Sequence, residues 1–312
     1  MSTTSPAAVD EGAAQWARAV WTAAEPMTLS AYFTPEAAAV VTAAGLDGRS
    51  ALVVLRAAPL GDAAPAVAAA AFRGFPYPLI TGVLQRSRPV LPAEDAVRGM
   101  HDAVVLAAAR QQPDLVEDPR VLAVAEDLEA AVADLDTTGR PLAAGGQAIT
   151  APGSTVAPVH PWARLWRAAN TLREHRGDGH IAALTAADLP RVQAEVLTAA
   201  WAGTNLDVAG LRSTRSLDDD TWAQASNALV RRGLLTSDGT TLTPRGRQLR
   251  EGIERATDAA SAAPWAALGR ERTQAAWDLL AEASGRLITS GQMVGTTPVG
   301  SPWPAIPLAP AA

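Results

Sequence analysis

The chain contains no cysteine. Disulfide bonds, thiolate nucleophiles and cysteine-ligated zinc are therefore excluded. It contains no lysine either, so all 26 basic residues are arginine. A phosphate loop of the GxxxxGK[ST] type cannot be built, and "GLDG", "GGQA" and "GDGH" do not supply one. A GxSxG nucleophile elbow is also absent. No run of about 18 apolar residues is free of proline, glycine and charge, so no membrane span is expected. The N-terminal "MSTTSPAAVDEG" lacks a basic segment followed by an apolar core, so no signal peptide is expected. These absences point to a cytoplasmic protein.

What is present is alanine. Apolar residues make up 48% of 312 residues and charged residues 19%, a balance that folds rather than stays disordered. The length suits two domains or one large one. Arginine without lysine, beside so much alanine, is the mark of GC-rich coding and carries little physical meaning. The net charge of −6 argues against a general nucleic-acid or membrane-surface binder.

The chain reads twice. Landmarks recur in order between residues 18–61 and 163–203. Trp21 matches Trp166, and Thr42-Ala43-Ala44 matches Thr185-Ala186-Ala187. Leu46 then matches Leu189, Val54-Leu55 matches Val196-Leu197, and Gly61 matches Gly203. Later, "GFPYPLITGVLQR" (74–86) sits where "LDDDTWAQASNALVRR" (217–232) sits, and "GRPLAAGGQAI" (139–149) echoes "GRLITSGQMVG" (285–295). The expected organisation is a first repeat at 12–150, a second at 160–296, a Pro/Gly/Ser/Thr linker between them, and a proline-rich tail at 297–312.

From Ile181 onward the second repeat predicts helix, helix, helix, hairpin, helix. Pro190 and Gly203 bracket one helix. "LDDDTWAQASNALVRRG" predicts another, with acids at its start, Arg231 and Arg232 at its end, and Gly233 beyond. "LLTSDGTTLT" predicts a hairpin turning at Asp238-Gly239. Thr243 caps a helix that begins at Pro244. This order, above all "RGLLTSDGTTLTPRGRQL", resembles the winged-helix fold of the multiple-antibiotic-resistance regulators. With "REHRGDGHIAAL" and "PWAALG", nearly the whole chain resembles an actinobacterial helix-turn-helix family. That resemblance implies a fold and no particular activity. In that family the first repeat usually carries a histidine after an "EP" pair. Here the residues are Glu25-Pro26-Met27-Thr28, which implies an altered shared site.

The expected fold is mainly α: two divergent winged-helix-like repeats forming an intramolecular pseudo-dimer, with a small β-wing in the second. DNA contact would draw on Arg212, Arg215, Gln224, Asn227, Arg245 and Arg247. Against it stand Asp218, Asp219 and Asp220 at the start of the reading helix, where phosphate must approach. Residues 181–260 hold nine arginines against ten acids, which is no basic footprint.

The densest polar cluster is "TLREHRGDGH" (171–180). Gly177 is expected to end one helix and Asp178 to cap the next, leaving His175 and His180 at two facing helix ends. Histidines there exchange protons near neutral pH, and Arg173 and Arg176 offer planar forks to an oxyanion. The expectation is a small-molecule site between the repeats, with or without a reaction. It would be lined by Trp166, Arg173, His175, Asp178 and His180, and by Glu25, Tyr32 and Phe33 of the first repeat. The competing reading is a solvated turn of paired charges. No metal site is expected, since His175 and His180 lack a helical ligand spacing, and His101 reads as structural. No cofactor is indicated. A winged-helix regulator of transcription is the alternative function. The chain would act as a monomer or homodimer.

Overall fold

The computed structural model describes residues 10–293 and 299–309. Its first half runs α1 (Glu11–Ser30), α2 (Pro35–Ala43), α3 (Ala51–Ala57), α4 (Pro65–Ala71), α5 (Tyr77–Ser87), α6 (Ala93–Gln111), α7 (Pro113–Val116), α8 (Pro119–Ala133) and α9 (Pro141–Thr150). The second half runs α10 (Pro161–Ala186), α11 (Arg191–Ala202), α12 (Val208–Thr214), α13 (Asp219–Arg231), α14 (Pro244–Ala259), α15 (Ala263–Leu268) and α16 (Arg270–Thr289). The mainly helical reading holds. The end of the predicted second repeat at 296, and part of the tail, lie outside the described residues; 299–309 carries neither helix nor strand.

Local chemistry explains where many helices begin. Proline occupies the first turn of α2, α8, α10 and α14, where its missing N–H costs nothing. The preceding Thr34, Asp118, His160 and Thr243 each accept a backbone N–H from the first turn. In α1, Pro26 interrupts the ladder from within. The Ser284 hydroxyl of α16 fills the gap, donating to the Ala23 carbonyl (2.6 Å) and accepting from Met27 N–H (3.1 Å). A defect in one helix thus becomes the bolt that holds two helices together.

The hydrophobic core does not divide at the linker. One cluster joins the first half to Trp162–Leu172 of α10 and to Trp265, Leu268, Leu279, Leu280 and Leu287 of α15 and α16. A second, smaller cluster runs from Leu184 to Ile253. The packing is reciprocal: α1 lies on α14 and α16, while α10 lies on α6 and α8.

Two expectations need correction. The helix predicted to stop near His175 continues to Ala186, through Gly177 and Gly179. Glycine in a helix costs roughly 1 kcal/mol relative to alanine, but α10 is clamped by both cores. At Gly179 a Cβ would come within 2.9 Å of the Arg140 guanidinium, so the bare backbone is what admits Arg140. The predicted β-wing is reduced as well. Among the described residues there is no strand, and 234–243 closes on a single antiparallel bridge, Leu235 to Leu242. The chain turns at Gly239 (φ 73°), with the Thr236 N–H bonded to the Thr241 carbonyl inside the bridge. Gly246 seats the hairpin against α14, since a Cβ there would lie 2.0 Å from the Leu234 carbonyl oxygen.

Candidate functional site

A cavity of about 210 Å³ lies between the first half and the α11–α14 unit. One face of α10 forms its back wall. Arg173, Arg176, Gly177, His180, Ile181 and Leu184 all reach it, a spacing that repeats every three or four residues and so lies along one helical stripe. Aromatic residues of the first half close the other sides: Trp21 on α1, Phe33 beyond it, and Phe72 and Phe75 after α4.

Six arginines and four glutamates face this space. Four of the arginines are neutralised in two buried networks. In the first, Arg56 grips Glu174 with two bonds (2.7 and 2.8 Å), and Arg173 grips Glu25 likewise (2.6 and 2.8 Å) and also bonds Glu174. Glu25 is fully buried, and its other bond is to the Trp21 indole N–H. Burial opposes the ionisation of Glu174, but Arg56 and Arg173 overcome it and hold the carboxyl below its usual range. In the second network Arg176 donates to Glu254 and Asp258, Arg250 donates to Glu254, and Arg18 pairs with Asp258. Burial raises Glu254, yet Arg250 and Arg176 bring it down to about 2. Several guanidinium carbons also lie over rings: Arg176 over Trp21 (4.2 Å), Arg56 over Phe72 (4.6 Å) and Arg215 over Phe75 (3.8 Å).

The remaining corner is different. Arg73, Arg191 and Arg215 surround one carboxylate, Glu195. The nearest approach of Arg215 to it is 3.8 Å, too long for a hydrogen bond. Gly74 makes this corner possible, since a Cβ there would sit 3.0 Å from both the Arg215 guanidinium carbon and the Glu195 oxygen. Burial pushes Glu195 up and Arg215 down from their ordinary values.

His180 touches the rim, its Nδ1 3.0 Å from the Thr257 hydroxyl. That hydroxyl already donates to the Ile253 carbonyl. His180 Nδ1 is therefore the donor, leaving Nε2 as an acceptor. Burial pushes His180 down to about 3 despite the pull of Glu254, so it is neutral at ordinary pH.

Of the residues expected to line a site, Glu25, Phe33, Arg173 and His180 line this cavity. The other four do not. Trp166 and Tyr32 are core residues, edge-to-face at 5.8 Å, with the indole N–H on the Thr28 carbonyl. Asp178 accepts the backbone N–H groups of Leu142 and Ala143 and so caps α9. His175 is buried on that same side, and its carbonyl accepts from Arg140. On one continuous helix, five residues turn by about 140°, so His175 and His180 face apart. His160 is spent on the cap of α10 and His101 on the buried Arg167 (3.0 Å). Among the described residues no group of three or more His, Asp or Glu is arranged to hold a metal ion. The residues that spacing did not reveal are Trp21, Arg56, Arg73, Glu195, Arg250 and Glu254, which converge only in three dimensions.

The predicted DNA-reading residues also divide. Helix α12, a turn through Ser216 (φ 51°), and α13 capped by Asp218 form a helix-turn-helix. Gln224, Asn227, Arg245 and Arg247 are exposed. Arg212 is held by Asp219 and lies over Trp222. Arg215 turns inward to the cavity. Asp218, Asp219 and Asp220 are exposed at the start of α13.

This geometry defines a helix-turn-helix protein with a charged cavity behind the motif. The profile of a helix-turn-helix family matches residues 17–294, and the chain belongs to that family. No curated protein and no solved structure matches it. No single helix among the described residues is long and apolar enough to cross a membrane.

Proposed function

We propose that the chain binds a small molecule in the cavity behind its helix-turn-helix. The observation that carries this reading is the cavity itself: both halves of the chain line it, aromatic faces and buried arginines share its walls, and its size exceeds the roughly 150 Å³ that admits benzene in an apolar protein cavity. Native mass spectrometry of the purified protein tests it. Wild type is expected to carry a small adduct that Ile181→Trp loses, since an indole at that position takes up the space. A bare mass for wild type, or an adduct kept by Ile181→Trp, would contradict the reading.

The two halves are read as divergent copies, 12–150 and 160–296, forming an intramolecular pseudo-dimer. Among the described residues the halves hold nine and seven α-helices, so the correspondence that supports this reading is partial. The long–short–long series α6, α7, α8 parallels α14, α15, α16, and Gly61 and Gly203 share one unusual conformation (φ 57°, ψ −135° and φ 54°, ψ −123°). If α1 answers to α10, the packing of α1 on α14 and α16 mirrors that of α10 on α6 and α8. The late echo of 139–149 with 285–295 fits less well: it pairs α9 with the end of α16, and residues 294 and 295 lie outside the described ones.

A second reading is favoured by the motif and the family: DNA binding through α13 and a reduced wing. Gln224, Asn227, Arg245 and Arg247 are exposed where a duplex would lie. The acids at the start of α13 oppose it. DNA affinity would fall steeply with salt, whereas occupancy of a partly apolar cavity would not.

A further inference from the structure

Resting on the cavity as a binding site, we infer that its ligand is a small oxyanion on an apolar body, held through Arg215 and Arg73. The charges around the space carry the inference. Glu25, Glu174 and Glu254, helped by Asp258, form ion pairs with Arg56, Arg173, Arg176 and Arg250, although Nε of Arg176 and of Arg250 has no hydrogen-bonding partner. Glu195 is left alone with Arg73, Arg191 and Arg215. Arg73 spends one nitrogen on the Leu189 carbonyl, and Arg191 reaches the Gly74 carbonyl at 3.4 Å. Nε and Nη1 of Arg215 are buried and have no hydrogen-bonding partner within the chain.

A buried guanidinium with idle donors is costly unless an acceptor arrives. The Phe75 ring beneath the guanidinium carbon offers no oxygen or nitrogen acceptor. Nη2 forms one fork with Nε and another with Nη1, and such a fork grips carboxylate or phosphate with two parallel bonds. The Glu195 carboxylate is too far away to use that fork. Phe72 and Phe75 flank the corner, and Phe33, Leu29 and Leu52 extend the apolar wall. A carboxylate or phosphate joined to one ring matches both the charge and the volume.

Isothermal titration of the full-length protein with 3-phenylpropionate, 3-phenylpropionamide, phenyl phosphate and inorganic phosphate tests this. The acid is expected to bind at least tenfold more tightly than the amide. The stronger of the acid and the phenyl phosphate then shows which oxyanion the corner prefers, and inorganic phosphate is expected to compete with either. Arg215→Gln is expected to lower the acid to the level of the amide while leaving amide binding unchanged. Arg73→Gln is expected to act in the same direction and serves if Arg215→Gln does not fold. Equal binding of acid and amide would overturn the oxyanion and leave the cavity standing. So would no binding by any probe while the adduct on wild type persists. No probe binding and no adduct would remove both.

Discussion

At the scale of single residues, buried titratable groups make stability depend on pH. Burial holds His101 at about 2, with Arg167 adding to the effect, His175 at about 4 and His180 at about 3. In the unfolded chain each titrates near 6.5. Below that value the unfolded state binds more protons, so stability falls as pH falls. Asp178 works the other way: burial raises it to about 6, and the folded state binds the extra proton between about pH 4 and 6. Glu195, also raised by burial, acts with Asp178, but the three histidines outnumber the two carboxyls, so near pH 5 the net proton balance favours unfolding. Urea midpoints are therefore expected to be lower at pH 5 than at pH 7. Equal midpoints would contradict the buried, neutral histidines. The polar character of 171–180 was legible in the sequence, and four of the eight residues expected to line a site line the cavity. Trp166 and Tyr32 were not separable from them, because an aromatic residue on a helical stripe reads the same whether it meets a core or a cavity.

At the scale of elements, α10 decides which residues meet. Two glycines in three residues read locally as a helix end, and local propensity lost to packing from both sides. Reading the helix as unbroken places Arg173, Arg176, Gly177, His180 and Leu184 on one face and Asp178 on another. That signal was present in the spacing, hidden by the assumed break. Asp178 then serves α9 by capping it from outside. Asp178→Ala is expected to destabilise the protein by about 1–2 kcal/mol, the usual cost of a lost cap, and Asp178→Asn by less. An unchanged urea midpoint for Asp178→Ala would show that α9 does not depend on it. The remaining boundaries were legible where proline, a capping side chain and glycine mark them, as at Thr243–Pro244 and Ala202–Gly203. The hairpin turn at Asp238-Gly239 was legible too, but the number of paired residues was not, because it depends on how close α14 comes.

At the scale of the whole molecule, the halves share a core and an electrostatic network. Glu25 of α1 is bound by Arg173 of α10, and Arg56 of α3 by Glu174. Arg18 reaches Asp258 from the opposite side. The mainly helical character was legible in the sequence, but the interlocking was not. No local pattern says that α16 packs on α1 or that Arg215, placed by sequence beside a DNA-reading helix, turns inward. It does so because Phe75 and Glu195 lie there, more than a hundred and about twenty residues earlier in the chain. A ligand at that corner would touch the turn that leads into α13 and the segment after α4 together. Hydrogen exchange with and without saturating 3-phenylpropionate measures this directly. Amide exchange is expected to slow in both 71–75 and 194–217, on the two sides of the cavity. Slowing confined to one half, or none in either, would contradict a binding site built from both.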